Sequence, residues 1–458
     1  MAEGKPNVIV FLTDQQRWDT TGVGGNPLDV TPNFDRVAAG GTHFSHTFTC
    51  QPVCAPARSS LQTGMYATST GVFSNGRALA DDAVTLAQCF RASGYRTGYI
   101  GKWHLGGVEL GLKDWKQEPV PVARRGGYEY WLAADAVEFT SDAYHTVLFD
   151  NNNKSVELPG YRVDALTDAA IRYVADNREA PFFLFLSFLE PHHQNHTDNY
   201  PAPDGYEERF RGRWLPPDLA ALGGTAHHHF AGYLGMIKRL DEAFGRLLDV
   251  LKSLSLDRRT IVAFTSDHGN HFRTRNREYK RSCHESSVRV PLTACGPGFD
   301  RGGRIDSLVS LVDLPPTLLD AAGIEIPRTM QGRSAMPLVR GTSADWQDDV
   351  FIQISESQVG RALRTRRWKY SVSAEGLDGF AVPDAQTYTE ECLFDLDSDP
   401  YELTNLAGLD SHEHVSQQMK SRLLRRILIT EGKQPEIVDA PKRKDEDQRV
   451  VFPGDLPG

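Results

Sequence analysis

Asn7-Val8-Ile9-Val10-Phe11-Leu12-Thr13-Asp14-Gln15 sets five successive apolar residues in front of an acid and an amide. A short apolar run with no polar alternation reads as a strand covered on both faces, the kind a parallel sheet uses. Pro181 to Leu189 and Arg259 to Thr265 share this character, and Thr97 to Ile100 reads as a shorter strand. Helical periodicity fills the intervals: Thr85 to Ser93 predicts one helix and Ala231 to Leu254 the longest. The expected fold class is α/β, with a large central, mostly parallel sheet flanked by helices. Asp14, Lys102, His192 and Asp267 each stand just beyond one of these strands. Ligands of open α/β sheets bind at the carboxyl ends of strands, so four distant segments are expected to meet at one edge.

The 458 residues suffice for two unequal units. Residues 1–345 carry the strand–helix alternation and are expected to form a catalytic domain. Val350 to Ile354, Arg361 to Arg364 and Trp368 to Val372 predict antiparallel strands, and His414 to Thr430 predicts a helix. Residues 346–430 are therefore expected to form a smaller α+β subdomain. Residues 431–458 read as an extended tail draped on the surface; an arm reaching a neighbouring subunit, and so an oligomer, is the alternative. The net charge of −10 argues against nucleic acid as a partner. No apolar run reaches the roughly 18–20 residues that cross a bilayer, so no membrane partner is expected. Met1 to Pro6 lack the apolar stretch of a leader, which predicts a cytoplasmic protein, or a periplasmic or secreted one if a leader has been removed. Six cysteines without a Cys-x-x-Cys pair make no disulfide framework. All but Cys54 read as small buried apolar residues, Cys50 least firmly because it lies four residues from Cys54.

Cys54-Ala-Pro-Ala-Arg58-Ser-Ser-Leu61-Gln-Thr63-Gly64 fits C-x-P-x-R-x-x-L-x-T-G at six fixed positions. This is the signature of the type I sulfatases, and the chain resembles that family from end to end. The resemblance implies the alkaline-phosphatase-like fold and hydrolysis of a sulfate monoester. It also implies that Cys54 is oxidised by a formylglycine-generating enzyme, the hydrate of the resulting formylglycine attacking sulfur. Arg58 completes the signal read by that enzyme and contacts the modified side chain in relatives. Leu393-Phe394-Asp395-Leu396, Asp399-Pro400, Glu402, Asn405 and Leu406 match the family's usual carboxy-terminal ending.

Hard divalent cations take oxygen ligands, and Asp14, Gln15, Asp267, His268 and the modified Cys54 are the candidates. Many relatives carry Asp-Asp and Asp-Asn where this chain has Asp14-Gln15 and Asp267-His268. Calcium is expected first; histidine ligation admits manganese. A sulfuryl group needs cations, and its leaving alcohol needs an acid. Lys102 and His104 of Gly101-Lys-Trp-His-Leu-Gly106, His192 of Pro191-His192, and Lys280, five residues before Glu285, match the family's positions for these tasks. The resemblance assigns His104 to the formylglycine hydroxyl and His192 or Lys280 to the leaving group.

Substrate selection is expected from the intervening segments, with Trp115, Trp131, His193, His271 and Arg273 as candidates. Aromatic rings with Asn, Asp and Arg suit a sugar surface, so a small-molecule or oligosaccharide sulfate ester is the expected partner. The alternatives are a phosphonate monoester or phosphodiester hydrolase of the same superfamily, and a non-enzymatic binding protein with unmodified Cys54. His227-His228-His229 reads as surface, because three consecutive side chains cannot face one ion.

Overall fold

A computed structural model describes residues 4–108, 116–194, 196–342 and 345–443. Trp115 and residues 444–458 of the tail lie outside the described residues. The large sheet is built on five parallel strands: Thr260–Ser266, Asn7–Thr13, Phe182–Ser187, Arg96–Lys102 and Tyr130–Ala134, in that spatial order. The register pairs Val8 with both Phe183 and Ile261, so the polar ends of the strands lie level. Antiparallel strands flank this centre. Leu292–Cys295 and then Thr42–Phe48 extend one side, and the hairpin His145–Phe149/Ser155–Pro159 closes the other.

Every residue of Asn7–Thr13, Phe182–Ser187 and Thr260–Ser266 is buried, as their unbroken apolar runs require. One face packs on helices Cys54–Thr63, Leu86–Ala92 and Leu314–Ala321 through Leu61, Phe90 and Leu318. The other packs on Pro32–Gly40, Arg162–Asn177 and Ala226–Ser253 through Phe34, Leu166 and Phe244. Each such side chain contributes about 1.5–3 kcal/mol of burial. Thr85 caps its helix with the reciprocal Gln88 bond, which explains why Thr85 to Ser93 is legible in sequence. The longest helix begins at Ala226, so the three histidines occupy its first turn, His227 and His228 exposed.

The second sheet runs Asp349–Ile354, Val359–Thr365, Trp368–Ala374, Thr387–Asp395, Glu436–Val438, antiparallel except for the last pair. The helix Glu413–Glu431 covers it through Met419, Leu423 and Ile427. The tail thus departs from expectation up to residue 443. Glu436–Val438 pairs with Thr387–Thr389 of its own chain, and buried Ile437 joins that core. A three-residue strand satisfies an otherwise open sheet edge, which explains the capture.

The two sheets are stitched by buried charge. Lys369 Nζ lies 2.8 Å from Glu285 and 2.6 Å from Glu402, all three buried. Glu356 receives Asn75 N at 2.6 Å and pairs with Arg281 at 2.5 Å. Among the described residues no helix is long and apolar enough to cross a membrane.

Candidate active site

Extended Val53 leads into the helix Cys54–Thr63, whose Pro56 sits in the first turn, where a missing N–H breaks no helical bond. Gly64 ends it at φ 66°, and a Cβ there would stand 2.9 Å from Met330. Cys54 and Arg58 are one turn apart on one helical face, which meets the ends of the parallel strands. Arg58 is fully enclosed: it donates to Ser187 Oγ at 2.6 Å and Lys102 O at 2.8 Å, and pairs with Asp14 at 3.0 Å and Asp267 at 3.2 Å. Lys102 Nζ lies 2.8 Å from the same Asp14 oxygen. The strand ends therefore hold a cage of alternating charge.

Cys54 Sγ occupies the centre. Lys280 Nζ is 2.9 Å away, His268 Nε2 3.2 Å and Asp14 Oδ1 3.5 Å, and His104 hydrogen-bonds the thiol. Burial pushes this thiol up, but Lys102, Lys280 and His268 outweigh it and hold it well below its ordinary value. Cys50 is the contrast: burial pushes its thiol up to about 11, and its Sγ lies 3.1 Å from Ser60 Oγ. Two tautomers follow from neighbouring carbonyls, which only accept. His268 Nδ1 donates to Gly269 O at 2.9 Å and His192 Nδ1 to His193 O at 2.6 Å. Each Nε2 then faces the site, and Lys280 Nζ lies 3.0 and 3.2 Å from them. Gln15 and His104 both adopt left-handed backbone (φ 71° and 60°), a strain that clusters at functional sites.

Four donors, from Asp14, Cys54, Asp267 and His268, lie within 4.8 Å of one another. Their chemistry fits a divalent cation. Burial and the charge of Asp14 push Asp267 up to about 6, and among the described residues its Oδ2 meets only the Arg58 ion pair at 3.2 Å. Two buried carboxylates within reach of one point are what a cation would relieve. Gln15 lies beside them: its N donates to Asp267 Oδ1 at 3.0 Å and its side-chain oxygen accepts from His193 N at 3.4 Å. Metal and proton compete for Asp267, so below about pH 6 the calcium Kd of metal-stripped protein is expected to rise about tenfold per pH unit. Titration calorimetry across that range checks this; a flat Kd would exclude Asp267 as a ligand.

A cavity of about 430 Å³ opens over Cys54, lined also by Gln15, His104, His192, His193 and Lys280. Of the candidates for substrate contact, His193 is in place. Trp131 is not: it is 1% exposed on its strand and packs on Tyr99 and Trp103, because that strand is covered on both faces. His271 is also removed from the cavity, fully buried with Nε2 3.0 Å from Lys280 O, so it underpins the lysine's loop. Arg273 lies over the Tyr279 ring at 4.5 Å, at the rim. Sequence reasoning missed Asn75, Glu138, Phe139, Glu278, Tyr279 and Arg281, which line the cavity. Glu138 and Phe139 follow the fifth parallel strand, a signal the strand-end rule could have caught.

A family model described as Sulfatase matches residues 6–324, and one described as N-sulphoglucosamine sulphohydrolase, C-terminal, matches residues 277–428. An ulvan-active sulfatase of Formosa agariphila is 29% identical over 440 residues, covering 92% of this chain and 81% of that protein. An N-acetylglucosamine-6-O-sulfatase of Bacteroides thetaiotaomicron is 23% identical, covering 98% and 90%. The solved structure of the putative sulfatase YidJ from Bacteroides fragilis superposes with a TM-score of 0.80 at 26% identity, covering 93% and 96%. With the caged cysteine, the paired carboxylates and a family match over most of its length, the chain belongs to the sulfatase family, whose members are sulfuric ester hydrolases.

Proposed function

We propose that this protein hydrolyses a sulfate monoester on a carbohydrate, with Cys54 carried as formylglycine and calcium as the metal. The observation that carries the reading is the convergence on Cys54 Sγ of Lys280, His268, His104 and Asp14 at the mouth of one cavity. Formylglycine would supply a hydroxyl nucleophile when hydrated, and a cation held by Asp14, Asp267 and His268 would polarise the sulfuryl oxygens. The other tasks fall to the chain's own residues. Lys102 and Lys280 bring positive charge to the sulfuryl group. Arg58 holds Asp14 and Asp267 in register from behind. His104 takes a proton at the Cys54 position. His192 Nε2, 3.2 Å from Lys280 Nζ, shares with it the proton for the leaving alcohol. Burial, then Lys280, push His192 below its ordinary value, which leaves its Nε2 as the accepting member of the pair.

The names of the ulvan and N-acetylglucosamine sulfatases support a sugar substrate, as do Asn75, Glu138 and Tyr279 in the cavity wall. Two carboxylates favour calcium, and the His268 imidazole is what would admit manganese. The test is sulfate release from a panel of sulfated mono- and oligosaccharides, with an aryl sulfate and an aryl phosphonate included. Release from sugars at kcat/KM at least ~10-fold above the aryl sulfate is expected, from the binding free energy of a pocket that contacts the sugar. Turnover of the phosphonate with no sulfate from any compound would establish the phosphonate hydrolase instead.

A further inference from the structure

Glu138 is out of place in a pocket that receives an anion. It belongs to the short helical turn Val137–Thr140 beyond the strand Tyr130–Ala134, and it faces the same cavity as Cys54, His104 and Lys280. Its Oε1 lies 3.3 Å from Lys102 Nζ. Its Oε2 is buried and has no hydrogen-bond partner among the described residues. Burial pushes the carboxyl up, but Lys102, His104 and His192 outweigh that and hold it below its ordinary value. It is thus a charged group able only to accept.

An unmet buried acceptor is costly to leave desolvated, and its charge works against a bound sulfate. Lys102 does not require it, since Asp14 already pairs with that lysine at 2.8 Å. The cost is offset when a substrate group donates to Oε2. A sulfate monoester is fully ionised and has no proton to give; a hydroxyl group has one. Phe139, the next residue, lines the same cavity and is 42% exposed, with Lys116 Nζ 4.3 Å from its ring centroid. An exposed ring at a cavity mouth is a platform for the C–H face of a sugar.

We propose that Glu138 is a specificity-determining residue that accepts a hydrogen bond from the sugar hydroxyl next to the sulfate ester, with Phe139 covering an apolar face of the same ring. This rests on the carbohydrate reading above. The neighbouring hydroxyl is singled out by position: Glu138 lines the same cavity as Cys54 and stands 3.3 Å from Lys102 behind the sulfuryl site, so the group it meets is the one beside the ester.

The test compares the wild type, Glu138→Gln and Glu138→Ala by kcat and KM. The substrates are a sulfated monosaccharide that the wild type cleaves, the same compound lacking the neighbouring hydroxyl, and an aryl sulfate. The wild type is expected to prefer the hydroxylated sugar over its deoxy analogue by ~10–100-fold, as for a hydrogen bond to a charged group. In Glu138→Ala that preference collapses to about threefold or less, and Glu138→Gln, which keeps a neutral acceptor, falls between. The aryl sulfate reports folding and damage to Lys102, so the sugar-to-aryl rate ratio must fall in both variants. A preference unchanged in Glu138→Ala, or a parallel loss on all three substrates, overturns the proposal and leaves the carbohydrate reading standing. A wild type that cleaves the aryl sulfate and no sugar sulfate overturns the carbohydrate reading, and this proposal with it.

Discussion

Cys54→Ala is expected to lower sulfate release by ~10⁴-fold or more while leaving the fold in place. The substitution removes the side chain that becomes the nucleophile. The surrounding charges do not depend on it: Lys280 Nζ still faces His192 and His268, and Asp14 keeps Arg58 and Lys102. The variant should therefore melt close to the wild type and still take up calcium through Asp14, Asp267 and His268. Residual turnover above about 1% would show that another group attacks sulfur. Mass spectrometry of the wild-type peptide containing residue 54 provides the companion measurement, because an unmodified thiol throughout would predict no difference between the two proteins.

Lys102→Ala is expected to damage rate and stability together. Lys102 is fully buried and pairs with both Asp14 and Glu138. Removing one partner of a buried pair costs about 3–5 kcal/mol, because the remaining charge is left uncompensated. The rate should fall by ~10²–10³-fold, as when one preorganised charge is withdrawn from a transition state. The pH dependence gives a sharper check. Burial pushes Asp14 up, but Lys102, with His192 and Arg58, outweighs it and holds the carboxyl far below its unfolded value. A carboxylate depressed in the folded state contributes stability above its unfolded pKa of about 4 and loses it as pH falls. The melting gap between wild type and variant should thus be widest near neutrality and narrow below about pH 4. A gap independent of pH would mean that Lys102 acts through packing and not through Asp14.

The central strands and the four polar residues at their ends are legible because each obeys a local rule. Val8 to Leu12 is apolar throughout, and Asp14 marks the carboxyl end where a ligand must sit. Cys54, Arg58 and Lys280 are legible only through motif spacing; nothing in their sequence surroundings says that they meet. Trp131 shows the opposite error. Residue type suggests a sugar platform, but a strand buried on both faces turns the ring inward against Tyr99. His271 has the right neighbours in sequence and the wrong side of the loop in space, a purely tertiary outcome. The strand Glu436–Val438 escapes notice because three residues are too few for any periodicity.

The buried pairs that join the two sheets impose an order in time. Lys280 sits on a loop whose Glu285 is held by Lys369 and, through its N–H, by Glu402 at 2.7 Å. Glu402 leaves the ribosome roughly 350 residues after Cys54, a delay of about 20–70 s at roughly 5–20 residues per second. During that interval the Glu285 N–H has no Glu402 carboxylate to meet. The loop that carries Lys280 therefore gains its full anchor late, at a time set by the length of the chain between Cys54 and Glu402.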